Sequence, residues 1–183
     1  ASAAGLLLYN IGESVGGRAV SAPCDVRDAS QVDAALARVR ETLGIPDILV
    51  NNAAGNFLCP SEELTPNGFD AIVRIVLHGT FHCTRAAGRL WIEEQRGGTV
   101  LSIATTYAET GSGFVLPSAC AKAGVVALTR SLAVEWARHG IRLNAIAPGP
   151  IPTEGAFSRL LPTEALEKAR MRRIPAGRFG AQD

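Results

Sequence analysis

Ser118 and Lys122 stand four residues apart in Ser-Ala-Cys-Ala-Lys. One helical turn separates them, so a hydroxyl and an ammonium share one face and can hold the polar end of a ligand. Only two of the 18 basic residues are lysines, Lys122 and Lys168, and Lys122 is flanked by Ala121 and Ala123. Such a lysine either works as a placed cation or runs its stem along apolar surface to water. Tyrosine is equally scarce, with Tyr9 and Tyr107 alone. Tyr107 opens the run Tyr-Ala-Glu-Thr-Gly-Ser-Gly-Phe, where its phenol is either a donor to a reacting oxygen or the polar rim of a half-buried ring. Asn51-Asn52-Ala53-Ala54-Gly55 joins two amides to small side chains. That pattern lets a flat or extended ligand lie against the backbone, and it also suits a plain strand-to-loop turn.

These groups need elements to place them. Arg18 to Pro23 reads as a strand ending at Cys24-Asp25-Val26, and Ser30 can cap a helix with apolar Val32, Leu36, Val39 and Leu43. Buried strands follow at 47–55, 99–104 and 141–146. They alternate with helices over about 67–90 and 118–138; Pro148-Gly149-Pro150 breaks the chain before a last amphipathic helix over about 163–173. Apolar strands separated by helices predict parallel pairing, covered on both faces. The expected class is a doubly wound α/β sheet, Rossmann-like and three-layered, forming a single domain over residues 1–183. In such sheets ligands bind beyond the carboxyl ends of the strands. Those ends carry Asp25, residues 51–55, 104–107 and 148–151, each polar or rich in Gly and Pro.

Composition narrows the function classes. A net charge of +1, with 47% hydrophobic and 19% charged residues, is that of a globular chain and offers no basic footprint for nucleic acid. No apolar run approaches the ~20 residues of a membrane span, and Leu6-Leu7-Leu8 is too short for a signal core. Cys24, Cys59, Cys83 and Cys120 lie far apart without metal-ligand spacing, which suits free thiols in a reducing compartment. Glu62-Glu63 reads as solvated charge or a helix start rather than an acid/base dyad, and His82 and His139 as surface or interface residues.

The order Asn-Asn-Ala-Ala-Gly, then Ser-x-x-x-Lys on a helix, then Pro-Gly-Pro-Ile after a strand resembles the short-chain dehydrogenase/reductase family. That family usually has Tyr-x-x-x-Lys, and here Ser118 takes the tyrosine position. One branch, the NADPH-dependent 2,4-dienoyl-CoA reductases, places its tyrosine upstream. The chain resembles that branch in residues 51–57, in 107–114, in 118–124 and in Pro148-Gly-Pro-Ile151 followed by Gly155-Ala-Phe-Ser-Arg-Leu160.

The resemblance implies hydride transfer from NADPH, with NAD not excluded, to the far end of the conjugated chain of a 2,4-dienoyl-CoA thioester in unsaturated fatty-acid β-oxidation. It implies Tyr107 and Asn56 as donors to the thioester oxygen, with Ser118 a secondary polar contact. Lys122 is implied at the nicotinamide ribose and Asp25 at the adenine. Asn52, Ala53, Pro148, Gly149, Pro150 and Ile151 are implied along the cofactor. Arg27, Phe57, Thr65 and Arg159 match substrate-lining positions, though Arg27 and Arg159 also read as plain surface charges. His78 stands where many relatives have a relay asparagine; it either replaces that group or the relay is absent. A homotetramer paired through the long helices is implied, with no metal, nucleic acid or membrane partner. The arginine bias favours a bacterial cytoplasm, or a peroxisome or mitochondrial matrix in a eukaryote. An alternative is another short-chain enzyme acting on an acyl thioester or keto group, and a second is a catalytically dead acyl-CoA-binding fragment.

Part of the family pattern is missing. A glycine-rich diphosphate turn is expected roughly 45 to 60 residues before the Asp25 strand end, a complete βαβ span. The residues before Asp25 hold Gly5, Gly12, Gly16 and Gly17 but no Thr-Gly-x-x-x-Gly-x-Gly. The residue that selects NADP over NAD cannot be placed either. Relatives also continue past Arg178-Phe-Gly180 into a helix and a final strand. The expectation is a chain incomplete at both ends.

Overall fold

The computed structural model describes residues 6–8, 19–152, 163–172 and 174–181. The element order is β1 (Leu6–Leu8), β2 (Val20–Ala22), α1 (Ala29–Leu43), β3 (Ile48–Asn51) and α2 (Pro66–Val73). After a wide turn at Arg74–His78 come α3 (Gly79–Glu93), β4 (Gly98–Ile103), α4 (Tyr107–Thr110), α5 (Leu116–Trp136), β5 (Ile141–Ile146) and α6 (Glu164–Met171).

β3, β4 and β5 form a parallel sheet in that order, with Val50 beside Leu101 and Leu101 beside Asn144. This is the parallel α/β pattern expected from the sequence. Alternation decides the faces. Leu49, Val100, Ile141 and Leu143 are buried with Val32 and Ala35 of α1 and Ala87 and Trp91 of α3; Leu132, Ala133 and Trp136 of α5 pack against the same core. The other face carries Ile48 and Val50, 62% and 49% exposed. Among the described residues, α1, α3 and α5 share the core on this one side of the parallel sheet.

Three local expectations are corrected. The strand at 18–26 is only Val20–Ala22, and it pairs antiparallel with β1, outside the parallel sheet. The connection, residues 9–19, is shorter than the dozen or more residues a parallel crossover needs. The cap of α1 is Asp28 rather than Ser30: Asp28 is extended, and its carboxylate accepts from the N–H groups of Ser30 and Gln31. The helix predicted over 67–90 is interrupted, because Gly79 N–H bonds the carbonyl of Arg74 and widens one turn.

Close approach fixes how the layers seat. A side chain at Gly98 would run into the Trp91 indole, and one at Gly97 would lie 2.6 Å from the carbonyl of Gly140. Trp91 is fully buried and donates its ring N–H to the carbonyl of Pro46 at 2.6 Å, tying α3 to the entry of β3. No helix among the described residues is long and apolar enough to cross a membrane.

Candidate active site

The carboxyl ends of β3, β4 and β5 deliver three segments to one region, and most of the candidate residues ride on them. Behind them sits a buried polar knot. Asn51, the last residue of β3, donates to Thr84 Oγ1 at 2.9 Å and to Ser102 Oγ at 3.3 Å. It fixes the end of β3 against β4 and α3, from which Asn52, Ala53 and Asn56 lead off.

Tyr107 begins α4, four residues past the end of β4, and is half-buried. Its hydroxyl lies 3.0 Å from Ser118 Oγ and accepts from Asn56 Nδ2 at 3.4 Å. Tyr107, Asn56 and Ser118 come from three different segments, so the fold brings together the hydroxyl, amide and second hydroxyl singled out in the sequence. Asn56 Oδ1 is occupied by the N–H of Phe57 at 2.9 Å, which turns its amide nitrogen toward Tyr107.

Ser118 and Lys122 are both buried near the start of α5. The Lys122 ammonium donates to the carbonyl of Ile103 at the end of β4. Burial alone lowers its pKa from 10.5 to about 8, because a charge removed from water is disfavoured. An ammonium has three donors, and this bond uses one. Thr105 Oγ1, two residues from Tyr107, is buried with no hydrogen-bond partner. This hydroxyl was not singled out in the sequence; position at a strand end was its only signal. A buried cation with spare donors, an unpartnered hydroxyl nearby and small residues at 53–55 fit the hydroxyl-rich nicotinamide ribose end of a dinucleotide. Thr105 also lines a cavity of about 560 Å³ with Thr106, Glu109, Thr129, Arg130 and Asn144, between α4, α5 and β5.

The other candidates are spread around this centre. Pro148, Gly149, Pro150 and Ile151 follow β5, and Gly180 N–H bonds the carbonyl of Pro150 at 3.0 Å, bracing that wall. Asp25 and Arg27 lie after β2 and clamp each other. Arg27 Nε reaches both carboxylate oxygens at 2.9 Å, and this bond chiefly holds the Asp25 pKa down at about 2. Arg27 thus enters any substrate contact already engaged. Phe57 packs against the Ile72, Val76, Ala121 and Val125 cluster. Thr65 caps α2, accepting the N–H of Gly68 at 3.1 Å. His78 is exposed in the wide turn; its ring meets that of His82 edge-on at 6.3 Å. Arg159 lies outside the described residues. Among the described residues no cluster of His, Cys, Asp or Glu could hold a metal.

Residues 7–183 match the family described as Enoyl-(Acyl carrier protein) reductase. An uncharacterized oxidoreductase of Caenorhabditis elegans is 51% identical over 93% of this chain and 55% of its own length. A probable 2,4-dienoyl-CoA reductase of Bacillus subtilis is 48% identical over 87% of this chain and 63% of its own. A peroxisomal 2,4-dienoyl-CoA reductase of Danio rerio is 36% identical over 91% and 55%. Among solved structures, a putative short-chain alcohol dehydrogenase from Sinorhizobium meliloti superposes with a TM-score of 0.87 at 36% identity, covering 92% of this chain and 66% of that one. A gluconate 5-dehydrogenase from Burkholderia cenocepacia, in complex with NADP and tartrate, gives 0.81 at 33% identity over 86% and 61%. The chain spans 52–63% of the length of the curated relatives it matches.

Proposed function

The chain belongs to the short-chain dehydrogenase/reductase family, and on that premise we propose that the protein it represents is a reductase of 2,4-dienoyl-CoA thioesters using NADPH. One observation carries the reading. The family's usual tyrosine position holds Ser118, and the phenol is supplied instead by Tyr107, 3.0 Å from that serine and paired with Asn56. An amide whose N–H donates to the phenol stands directly beside that phenol, and two such donor groups side by side suit a substrate whose oxygen gains charge far from the bond being reduced.

The cofactor, when bound, supplies a hydride to the far end of the conjugated dienoyl chain. Negative charge then moves along the conjugated system to the thioester oxygen, and a proton from solvent, added to the carbon chain of this dienolate, completes the reduction. Tyr107 O–H and Asn56 Nδ2–H stabilise it there as an oxyanion hole does. Ser118 holds the phenol in line. Lys122, buried one turn away, holds ribose hydroxyls with its spare donors and keeps the local potential positive, which favours the anion. Asn52, Ala53 and residues 148–151 line the cofactor, Asp25 meets its adenine, and Phe57, Thr65, Arg27 and Arg159 line the acyl-CoA. Arginine suits the phosphate oxygens of such a carrier by its forked donors. The assembly is a homotetramer paired through the α2–α3 and α5 helices, acting in unsaturated fatty-acid β-oxidation. Its place is a bacterial cytoplasm, or a peroxisome or mitochondrial matrix in a eukaryote.

The test is NADPH oxidation with a 2,4-dienoyl-CoA and, in parallel, with a β-ketoacyl thioester. Turnover of the dienoyl substrate is expected. Turnover of the keto substrate alone overturns the reading in favour of another short-chain reductase, and absence of saturable NADPH binding favours a fragment without catalysis.

A further inference from the structure

Phe114 holds a backbone conformation that bulky L-residues rarely adopt, with φ of +66°. Glycine would take that turn without strain, and glycines stand nearby at 111 and 113. The phenylalanine ring contributes little to the core, being 59% exposed. A side chain that is both conformationally costly and poorly buried points to a use outside folding.

The backbone at this point has a clear task. The Phe114 carbonyl accepts the N–H of Cys59 at 2.9 Å, joining the loop that carries Asn56 to the loop between Tyr107 and α5. The same bond sets Leu58 beside Phe114 in space, and Leu116 follows two residues on. Leu58 and Leu116 are 43% and 40% exposed. Three exposed large apolar residues thus lie on the two segments that follow Asn56 and Tyr107, where the Cys59–Phe114 bond joins them.

We propose that Phe114, with Leu58 and Leu116, forms the apolar wall that receives the acyl chain of the thioester and sets its chain-length preference. The inference rests on the reading of Asn56 and Tyr107 as donors to the thioester oxygen. With the polar end of the substrate held there, the hydrocarbon must leave the donors across a neighbouring surface. Ligand sites are mostly apolar with a few orienting polar groups, and this corner supplies the apolar part.

The test compares six-carbon and ten-carbon 2,4-dienoyl-CoA with the wild type, Phe114→Gly and Phe114→Leu. Phe114→Gly keeps the turn and removes the ring, so its urea midpoint should match or exceed that of the wild type. Its kcat/KM should fall roughly tenfold or more for the ten-carbon substrate and change little for the six-carbon one, with Phe114→Leu between. Equal losses for both lengths, or none, overturn the proposal. So does a change of oligomeric size in Phe114→Gly with an unchanged chain-length ratio, which assigns the ring to a second copy of the chain. Calorimetric binding of hexanoyl-CoA and decanoyl-CoA reads the wall without turnover. A preference for decanoyl-CoA that is lost in Phe114→Gly upholds the wall even where dienoyl-CoA is not reduced and the functional reading fails. A preference that survives in Phe114→Gly overturns the wall even where reduction proceeds.

Discussion

The hydroxyl of Tyr107 lies 3.0 Å from the hydroxyl of Ser118, although the two belong to different helices. The bond ties the start of α4 to the buried face of α5 and leaves the phenol facing Asn56. Tyr107→Phe removes the O–H and little else. Loss of one oxyanion donor lowers kcat by about 100-fold to 1000-fold, and urea midpoints should move little. Ser118→Ala leaves the phenol in place but unsupported, so its loss is smaller, about fivefold for one neutral hydrogen bond. Steady-state rates with a dienoyl-CoA check both; near-full turnover by Tyr107→Phe would falsify the role of the phenol.

Lys122 gives the native state a pH signature. Its pKa is 10.5 when exposed and about 8 in the fold. The unfolded chain therefore binds this proton more tightly, and the group's cost to folding is full below about pH 8. Stability rises between about pH 8 and 10.5 by about 3 kcal/mol at most. Cys83 acts in the opposite sense above pH 9, because burial holds its thiol up at about 12. Comparison with Lys122→Met cancels the cysteine. The difference in urea midpoint, wild type minus variant, should be flat from pH 6 to 7.5 and climb from 8 to 10. A flat difference throughout would show that the native lysine titrates as an exposed one.

The parts of this site that were legible in the sequence are those with local signatures. Ser118 and Lys122 were readable because helix spacing alone places them together, and Asn51 to Gly55 because small residues ended a clear strand. The Tyr107–Asn56 pairing came by resemblance, since 51 residues separate the two and no periodicity links them. Thr105 carries no signal beyond its place in the strand-end range 104–107: a threonine there has no pattern of its own until the fold buries its hydroxyl. The sequence reads a strand over 18–26 where the fold keeps only Val20–Ala22, and its antiparallel partner is not legible, because pairing direction depends on connections rather than on the strand's own residues. The wide turn at Arg74–His78 was hidden for a related reason, since a single extra residue leaves the apolar spacing of α2 and α3 almost intact.

Gly98 begins β4 directly over the Trp91 ring, which is fully buried. Gly98→Ala forces the new methyl into the indole, so the strand or the buried ring must shift. Overpacking of this kind costs about 1–3 kcal/mol. The expected result is a lower urea midpoint with an altered emission from Trp91, read in a Trp136→Phe background, where it is the single tryptophan. An unchanged midpoint would mean that α3 can slide away from β4.

Asn51 supplies the last prediction, because its amide is the common donor to Thr84 and Ser102. Asn51→Leu keeps the volume and removes both bonds, leaving two hydroxyls in a buried place with less to satisfy them. The cost is about 1–3 kcal/mol in urea unfolding. The damage should also reach the site, since Asn52, Ala53 and Asn56 follow directly from this anchor. A drop in kcat beyond what the folded fraction explains is expected, while Asn51→Asp, which can accept from both hydroxyls, should recover part of the rate. If Asn51→Leu loses stability but keeps the full rate of its folded fraction, then the end of β3 holds its position without the knot, and Asn56 is placed by its contacts with Tyr107 and Phe57 alone.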